Sequence, residues 1–403
     1  METIEDVIIV GAGLCGLATA LGLHRKGVKS VVLESSEVLR AAGFAFSTWT
    51  NAWKALEALG IAGELRQHHL RLEGLGIYTA SAGAITYQIP FKTSEGPEMR
   101  CVRRDLLLET LAKELPSDTI RYSSKVVLIE ESGNLKVLHL ANGSTLRTKV
   151  LIGCDGVNSI VSKWLGLKKP SFAGRSATRG FSEFPDGHGF NSEFVQFFGQ
   201  GFQAGMLPCD EKSMFWYFNW SSSSKDKEME KDETKMRQFV INKMKEANVP
   251  QNFIQVIEKS NMGDYVSLPL KFRWPSELLW RNICKGNVTV AGDALHPMTP
   301  DLGQGGCAAL EDAVVLARCL AQALKENDNG GAKEDEYVRL ESGLENYVAE
   351  RKWRDFDLVF TSYVFGSIQQ SDNVFTSFLT QKMLVGIMAR TLIKKTYYDC
   401  GKL

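Results

Sequence analysis

Apolar residues near the start of the chain form two short continuous runs, at 7–10 and 31–33. Runs of this length are typical of parallel strands that are buried on both faces. Between them lies an Ala-, Leu- and Gly-rich stretch that predicts a helix ending near Lys26, with Gly27 as its stop signal. The pattern therefore predicts a strand–helix–strand unit of the kind that binds dinucleotides.

Two further buried strands are predicted later in the chain, and an acidic residue follows each of them. The strand at 149–154 leads into Asp155-Gly156, and the strand at 288–291 leads into Gly292-Asp293. Helical patterns cover 103–115 and 306–324. These elements continue the α/β unit that begins at the N-terminus.

Alternating segments with Gly and Pro breaks interrupt this α/β pattern and predict a second, β-rich unit. The predicted fold class is therefore α/β, with a Rossmann-like nucleotide-binding domain and an interleaved β-rich domain. We assign residues 1–70, 101–170 and 280–345 to the first domain and 71–100 and 171–279 to the second. Residues 346–403 are predicted to form C-terminal helices.

Composition removes several classes of function. The 47 basic and 47 acidic residues give no net charge, which argues against nucleic-acid binding and against electrostatic docking to an anionic membrane. The eight Cys and six His show no metal-ligand spacing, so we expect reduced thiols and no metal site. No apolar run reaches 18 residues, and the first strand leaves no room for a signal peptide, so we predict a cytoplasmic protein without membrane insertion.

The first motif is Gly11-x-Gly13-x-x-Gly16, between a strand and a helix. Gly11 permits the tight turn, Gly13 lets the backbone approach a pyrophosphate, and Gly16 lets the helix pack closely on the strand. Glu34 ends the next strand, where a carboxylate accepts hydrogen bonds from ribose hydroxyls and disfavours a 2′-phosphate. The alternative is a glycine-rich turn in an unrelated α/β protein.

The second motif is Asp155-Gly156, whose alternative interpretation is a plain turn with an Asp cap. The third runs from Gly292 to Gly306 and is the most specific. In it, Asp293 is suited to accept from sugar or ribityl hydroxyls. The glycines at its end would expose N–H groups at a helix N-terminus, where negative charge is stabilised.

The three motifs in this order resemble the group A flavoprotein monooxygenases, the family of p-hydroxybenzoate hydroxylase, salicylate hydroxylase and zeaxanthin epoxidase. The resemblance extends from residue 7 to about residue 354. It is strongest to a plant branch described as salicylate-hydroxylase-like or zeaxanthin-epoxidase-like, of which Arg103-Arg104 and the run 298–307 are typical. It implies a glutathione-reductase-type (GR2) FAD domain and a sheet from the inserted domain that covers the flavin.

The resemblance also implies the residues that contact FAD. These cofactor-binding candidates are Gly11, Gly13, Gly16, Glu34, Arg40, Arg103, Arg104, Asp155, Gly156, Asp293, Pro300, Gly303, Gly305 and Gly306. The sequence departs from the family at two places, because Asn is common where Gly306 or Cys307 stands and Arg is common where Ser162 or Lys163 stands. One flavin contact is therefore expected to come from the backbone alone.

The family's reaction implies NAD(P)H and O₂ as co-substrates and a C4a-hydroperoxyflavin as the species that hydroxylates or epoxidises the substrate. The cofactor carries this chemistry, so no catalytic side chain is assigned. Pro300 and His296 are the candidates, and a structural role beside Pro297 is the favoured alternative for His296. The family implies that NAD(P)H binds without a second nucleotide domain. We expect a monomer or weak dimer.

Aromatic residues on the β-like segments predict an apolar wall for a small aromatic or polyene-like substrate. The candidates are Phe181, Gln196, Phe198, Met206, Trp216, Phe218 and Met298, and core packing is the alternative for each aromatic residue. A basic-faced helix at 375–398 is predicted to pack across both domains, with reversible membrane contact as the alternative.

Two other functions compete with the monooxygenase. A flavin halogenase would carry Trp-x-Trp-x-Ile-Pro, which the segment 215–220 does not match. A flavin- or ligand-binding regulator that lacks turnover stays open.

Overall fold

A computed structural model describes residues 4–39, 44–79, 84–91, 96–223, 226, 228–262, 267–325, 333–370 and 378–403. The strands are β1 (Ile4–Val10), β2 (Val31–Leu33), β3 (Ala45–Thr48), β4 (Gly74–Thr79), β5 (Ala84–Pro90), β6 (Arg100–Arg103), β7 (Ile120–Arg121), β8 (Val126–Ser132), β9 (Leu135–Leu140), β10 (Thr145–Gly153), β11 (Ser171–Glu183), β12 (Glu193–Gly199), β13 (Phe202–Pro208), β14 (Ser213–Ser221), β15 (Ser267–Phe272), β16 (Cys284–Lys285) and β17 (Val288–Val290).

The helices connect these strands and cover their faces. They are α1 (Leu14–Arg25), α2 (Thr50–Leu59), α3 (Ala62–His68), α4 (Arg104–Lys113), α5 (Ile160–Trp164), α6 (Glu233–Glu246), α7 (Gln251–Glu258), α8 (Pro275–Trp280), α9 (Gly305–Lys325), α10 (Lys333–Gln370) and α11 (Phe378–Lys395). Among the described helices, none has the length and apolarity needed to cross a bilayer.

The first sheet has the order β16-β17-β10-β1-β2-β7, and the hairpin β8–β9 joins it alongside β10. From β17 to β7 the neighbouring strands run parallel. Ile9 and Ile152 face a core that includes α1 and α9, whereas Ile8 and Leu151 face the opposite side of the sheet. Burial on both faces explains why these strands read as continuous apolar runs. The predicted mixed α/β fold class is confirmed.

The second sheet has the order β15-β11-β14-β13-β12-β4-β5, so it takes strands from both sides of β10 along the chain. One of its faces packs on α6 and α7 through a separate core that contains Trp216 and Met244. A short ribbon of β3 and β6 forms a third, two-stranded sheet. The assignment of these sheets to domains at the predicted boundaries stays a prediction.

Candidate active site

The sequence motifs meet at one edge of the first sheet. Val10 at the end of β1 pairs with Leu33 of β2 and with Gly153 of β10, and Gly153 pairs in turn with Val290 of β17. Four strands therefore end side by side. The residues that follow them, including Glu34, Asp155 and Asp293, share the carboxyl edge where open α/β sheets bind ligands.

The turn between β1 and α1 needs glycine at the positions that the motif predicts. Gly11 has a φ of +101°, and a Cβ there would lie 2.6 Å from the Cys154 carbonyl oxygen. A Cβ at Gly16 would lie 1.9 Å from the Gly11 carbonyl oxygen, so that glycine sets the distance between turn and helix. A Cβ at Gly13 would meet nothing within 4 Å. The space beside Gly13 is therefore open for a ligand.

Gly13 is the capping residue of α1, and no side chain caps this helix start. The free N–H groups and the positive end of the helix dipole face the open space, which suits a phosphate group. Glu34 braces the turn, because its Oε2 accepts from the Ala12 N–H at 3.0 Å and its Oε1 from the Ser36 N–H at 2.8 Å. Burial opposes ionisation of Glu34, but these backbone hydrogen bonds outweigh it and lower its pKa.

The loop after β17 borders this open space on the side opposite Gly13. Asp293 is exposed and lies in a 3₁₀ turn at Gly292–Ala294, and a second 3₁₀ turn spans Pro300–Leu302. A Cβ at Gly303 would lie 2.6 Å from the Ser47 Oγ, and one at Gly306 would lie 2.7 Å from the Phe46 ring. These glycines let the start of α9 pack directly against β3.

Two arginines face the same space, and sequence reasoning identified one of them. Arg104 leaves its buried Nε without a partner among the described residues. Burial lowers the pKa of both Arg104 and Arg179, and the nearby Asp293 carboxylate opposes this effect. Arg179, on β11, was missed because an isolated Arg in a strand carries no motif.

The other predicted polar residues lie less directly in the site. Arg103 turns away, since its Nη2 bonds to Asp105 at 2.7 Å and its guanidinium covers the Phe181 ring. Asp155 caps a local turn through Oδ2, which accepts from the Ile160 N–H at 2.7 Å, while its buried Oδ1 has no partner among the described residues. Burial raises the pKa of Asp155. Arg40 lies outside the described residues.

A cavity of about 310 Å³ joins the sheet edge to the second sheet. This volume falls in the range of small-molecule sites. The predicted residues that border it are Gly13, Arg104, Gly156, Gln196, Asp293, Met298, Pro300, Gly303, Gly305 and Gly306. The residues it adds to the prediction include Arg179, Phe194, Leu207, Phe215, Tyr217, Asn219 and Leu392.

The remaining candidates for the substrate wall do not border this cavity. Met206, Trp216 and Phe218 lie on the opposite face of the second sheet, in the core with α6 and α7. Phe181 stacks on Phe44 with ring centroids 6.1 Å apart. Phe198, another predicted wall residue, packs against the core that includes α1 and α9. Side chains along a strand alternate between the two faces of the sheet. The prediction took the wrong alternate set on β14, so every residue that it names on that strand lies on the opposite face.

His296 is fully buried behind the loop that follows β17 and does not reach the cavity. Its Nε2 lies 2.7 Å from Asp312 Oδ2, which also accepts from the Gly292 N–H at 2.8 Å. Burial disfavours charge on His296, but Asp312 and Asp355 outweigh it and raise its pKa to about 9. His296 therefore anchors the turn that carries Asp293 through their shared partner Asp312, and its raised pKa favours the charged form.

The anchor belongs to a larger buried ionic network between α9 and α10. Arg351 bonds to Glu311 at 2.6 Å, to Asp312 at 2.7 Å and to Asp355 at 2.8 Å. His296, Asp312 and Asp355 offer ligand atoms within 4.8 Å of one another. Because Arg351 already bonds to both carboxylates, its guanidinium supplies the positive charge that a metal would supply there.

Three features fit a cofactor that has a pyrophosphate and a sugar-like chain. The open space at the start of α1 and the Arg104 Nε, which has no partner among the described residues, suit the pyrophosphate, and the exposed Asp293 suits the sugar-like chain. The second sheet borders the same cavity. A glycine-rich helix start on one side and a partly apolar wall on the other are typical of a protein that binds a dinucleotide such as FAD.

Comparison with known proteins gives the family. Residues 5–352 match the family described as FAD binding domain, and the chain belongs to it. Monooxygenase 2 of Arabidopsis thaliana is 52% identical over 406 residues, which cover 100% of this chain and 99% of that protein. Monooxygenase 1 of the same plant is 37% identical and covers 100% of both chains.

A solved structure shares the fold at lower identity. Klebsiella pneumoniae HpxO complexed with FAD and uric acid has a TM-score of 0.80 and 21% identity, covering 97% of this chain and 96% of that one. The predicted membership of the group A flavoprotein monooxygenases and the predicted FAD cofactor are confirmed.

Proposed function

We propose that this chain is an NAD(P)H-dependent monooxygenase that hydroxylates or epoxidises a small, largely aromatic compound. The observation that carries the proposal is one cavity with two different sides. Asp293 and the start of α9 border it on the cofactor side, while Phe215 and Tyr217 of the second sheet border it on the other. A substrate on this wall would lie against the flavin ring.

FAD, when bound and reduced, would supply the electrons that activate O₂, and O₂ would supply the oxygen atom that is transferred. The chain's own residues hold and surround it. The start of α1 at Gly13 and the guanidinium of Arg104 would hold the pyrophosphate side, and Asp293 would accept from the ribityl hydroxyls. The N–H groups at Gly305 and Gly306 would stabilise negative charge on the ring.

Exclusion of water is the second task of the wall, because reduced FAD in contact with water would pass its electrons to O₂ without oxygenating the substrate. Leu207 and Phe215 from the sheet and Leu302 from the loop give the cavity an apolar side. Leu392 of α11 also borders it, so the C-terminal helix contributes to the enclosure. This placement supports the prediction that the C-terminal helix packs across both domains.

The electron donor is proposed to be NADH or NADPH that enters the same cavity transiently. The β1–α1 turn carries the nucleotide fingerprint, and its Glu34 is suited to the ribose of FAD rather than to a 2′-phosphate. Arg179 adds a positive charge to the cavity that the FAD assignment does not use. An incoming dinucleotide or an acidic substrate would meet that charge.

The test is turnover by purified holoenzyme. We expect yellow protein whose NADH or NADPH oxidation is stimulated by a member of a phenolic, indolic and terpenoid panel. The stimulated reaction should yield a product with one added oxygen atom in mass spectrometry. Protein that neither retains nor takes up FAD would overturn the proposal. Flavin reduction without any oxygenated product would favour the regulator instead.

A further inference from the structure

The cavity face of the second sheet is ordered into rows, because its strands pair in register. Arg179 pairs with Tyr217, Tyr217 with Gly205, and Gly205 with Gln196. Directly paired residues point to the same face of a sheet. The neighbouring rows on this face are Phe181-Phe215-Leu207 on one side and Ala177-Asn219-Gln203-Phe198 on the other. The wall therefore has an apolar band beside two polar rows.

Gly205 shapes the middle row. A Cβ at this position would lie 2.4 Å from the Tyr217 ring and 2.7 Å from its hydroxyl oxygen. The missing side chain lets the ring lie across β13, so that the hydroxyl reaches Gln196 on β12. There the Gln196 Nε2 donates to the Tyr217 oxygen at 3.0 Å. Since Tyr217 accepts this bond, its own proton is available to a ligand.

Asn219, in the row next to that of Tyr217, differs from its neighbours in its hydrogen bonding. Its side chain borders the cavity, and the residue is 2% exposed. Neither its Nδ2 nor its Oδ1 has a hydrogen-bond partner among the described residues. Buried polar atoms without partners are costly, and native proteins pair nearly all of them. An amide left open on both atoms in a ligand cavity points to a ligand that pairs with both.

Resting on the proposed function, we propose that Asn219 selects planar substrates that present a hydrogen-bond donor beside an acceptor, as the edge of a lactam does. The Asn side chain offers one acceptor and one donor in a single plane, so it pairs with such an edge through two hydrogen bonds at once. The apolar band, with Phe215 and Leu207, receives the ring that carries the edge. Tyr217 donates to a further oxygen of the same substrate.

The proposal predicts a preference between matched probes. FAD-loaded protein is titrated with 2-quinolone, which has the donor–acceptor edge, and with quinoline, which has the acceptor alone; flavin absorbance reports binding. The wild-type dissociation constant should be roughly tenfold to a hundredfold lower for 2-quinolone. In Asn219→Leu this difference should vanish, because the side chain keeps its size but loses both polar atoms.

Asn219→Asp gives a second, nearly isosteric test. A carboxylate only accepts, so this variant should prefer protonated 2-aminoquinoline, whose edge carries two donors, over 2-quinolone. Asn242→Asp on the exposed face of α6 is the matched control and should keep the wild-type preference.

Several results overturn the inference: equal affinity of the wild-type holoenzyme for 2-quinolone and quinoline, no binding of either, or an unchanged preference in the Asn219 variants. The proposed function fails on different results. If the protein binds no FAD, or shows the expected preference but never forms an oxygenated product, the monooxygenase assignment is wrong, and in the second case the lactam site stands.

Discussion

Asp301 and Arg175 form a buried, two-pronged ion pair, with both oxygen–nitrogen distances at 2.7 Å. Asp301 lies in the loop that carries Pro300, and Arg175 lies on β11 of the second sheet. Gly366 of α10 makes room for the pair, since a Cβ there would lie 2.2 Å from Arg175 Nη2. The pair therefore connects the Pro300–Leu302 turn on one side of the cavity to the second sheet on the other side.

Removal of one partner should cost much more than removal of both. Asp301→Ala leaves Arg175 buried without its counter-charge, which typically costs about 3–5 kcal/mol of unfolding free energy. The double variant Arg175→Met/Asp301→Leu should recover most of that loss, because apolar side chains of similar size need no counter-charge. Urea unfolding of the holoprotein measures both.

The control for this pair is Glu350→Ala, which breaks a half-exposed ion pair with Arg318. Exposed pairs contribute about 0–1 kcal/mol, so this variant should stay close to wild type. If Asp301→Ala is no less stable than Glu350→Ala, the proposed tie between loop and sheet is wrong.

Two glycines of the same turn should respond differently to the same substitution. Gly13→Val places its Cβ in open space, so the protein should fold, but the new side chain fills the volume proposed for the pyrophosphate. Gly16→Val drives its Cβ into the Gly11 carbonyl and should lower expression or stability sharply. Flavin content and thermal melting separate the outcomes; full FAD occupancy in Gly13→Val would remove the phosphate assignment.

Asp293→Ala should give folded but colourless protein. The carboxylate is exposed at the cavity and borders no core, so its loss should leave the melting temperature of the apoprotein nearly unchanged. The affinity for FAD should fall because the ribityl hydroxyls lose their acceptor. Equilibrium dialysis against FAD measures this, and wild-type affinity would show that Asp293 does not hold the cofactor.

The carboxyl edge of the first sheet, where FAD is proposed to bind, could be predicted from sequence because its signals are local. Continuous apolar runs specify strands that are buried on both faces, and the glycine and acid that follow each run mark its carboxyl end. Pairing of Val10 with Gly153 and of Gly153 with Val290 then brings distant motifs together. The parallel arrangement follows from the strand–helix–strand pattern itself.

The wall was harder to predict because both alternate sets of β14 contain aromatic residues. A usable signal was present, since 214, 216, 218 and 220 are large side chains whose only polar groups are two indole N–H groups, whereas Tyr217 and Asn219 on the other set carry a hydroxyl and an amide. The first of these sets faces the core with α6 and α7. The mixed set faces the cavity, where polar atoms can meet a ligand.

The buried ionic network gave no sequence signal. Asp312 and Arg351 lie on separate helices, 39 residues apart, and meet through the packing of α9 on α10. Charges within a helix ordinarily predict a solvated face. Tertiary packing alone reveals that these charges neutralise one another in the interior.

Gly205→Ala should change substrate response without loss of FAD. The added methyl group collides with the Tyr217 ring, so the ring must move and the bond from Gln196 to its hydroxyl must break. Flavin content should stay at the wild-type level, since Gly205 lies on the second sheet and not at the edge of the first sheet where FAD is proposed to bind. Substrate-stimulated flavin reduction should drop several-fold or shift to other compounds. An unchanged substrate profile would contradict the role given to Tyr217.

The pH dependence of stability should reveal the charge on His296. Its pKa is raised from an ordinary 6.5 to about 9 in the folded protein, against burial, by Asp312 and Asp355. A base whose pKa rises on folding stabilises the folded state fully below its unfolded pKa and loses that contribution as pH climbs through the folded value. The contribution is therefore present at pH 6 and gone by about pH 10.

The shift corresponds to about 3 kcal/mol. We therefore expect His296→Gln to be destabilised relative to wild type at pH 6, with the gap narrowing by roughly that amount as pH rises to 10. Urea unfolding at a series of pH values measures the gap. His139→Gln removes a partly exposed His that pairs with Glu130 at the surface, and its gap should stay small throughout. A constant gap for His296→Gln would mean that His296 is neutral in the folded protein and that the turn bearing Asp293 is held by other contacts.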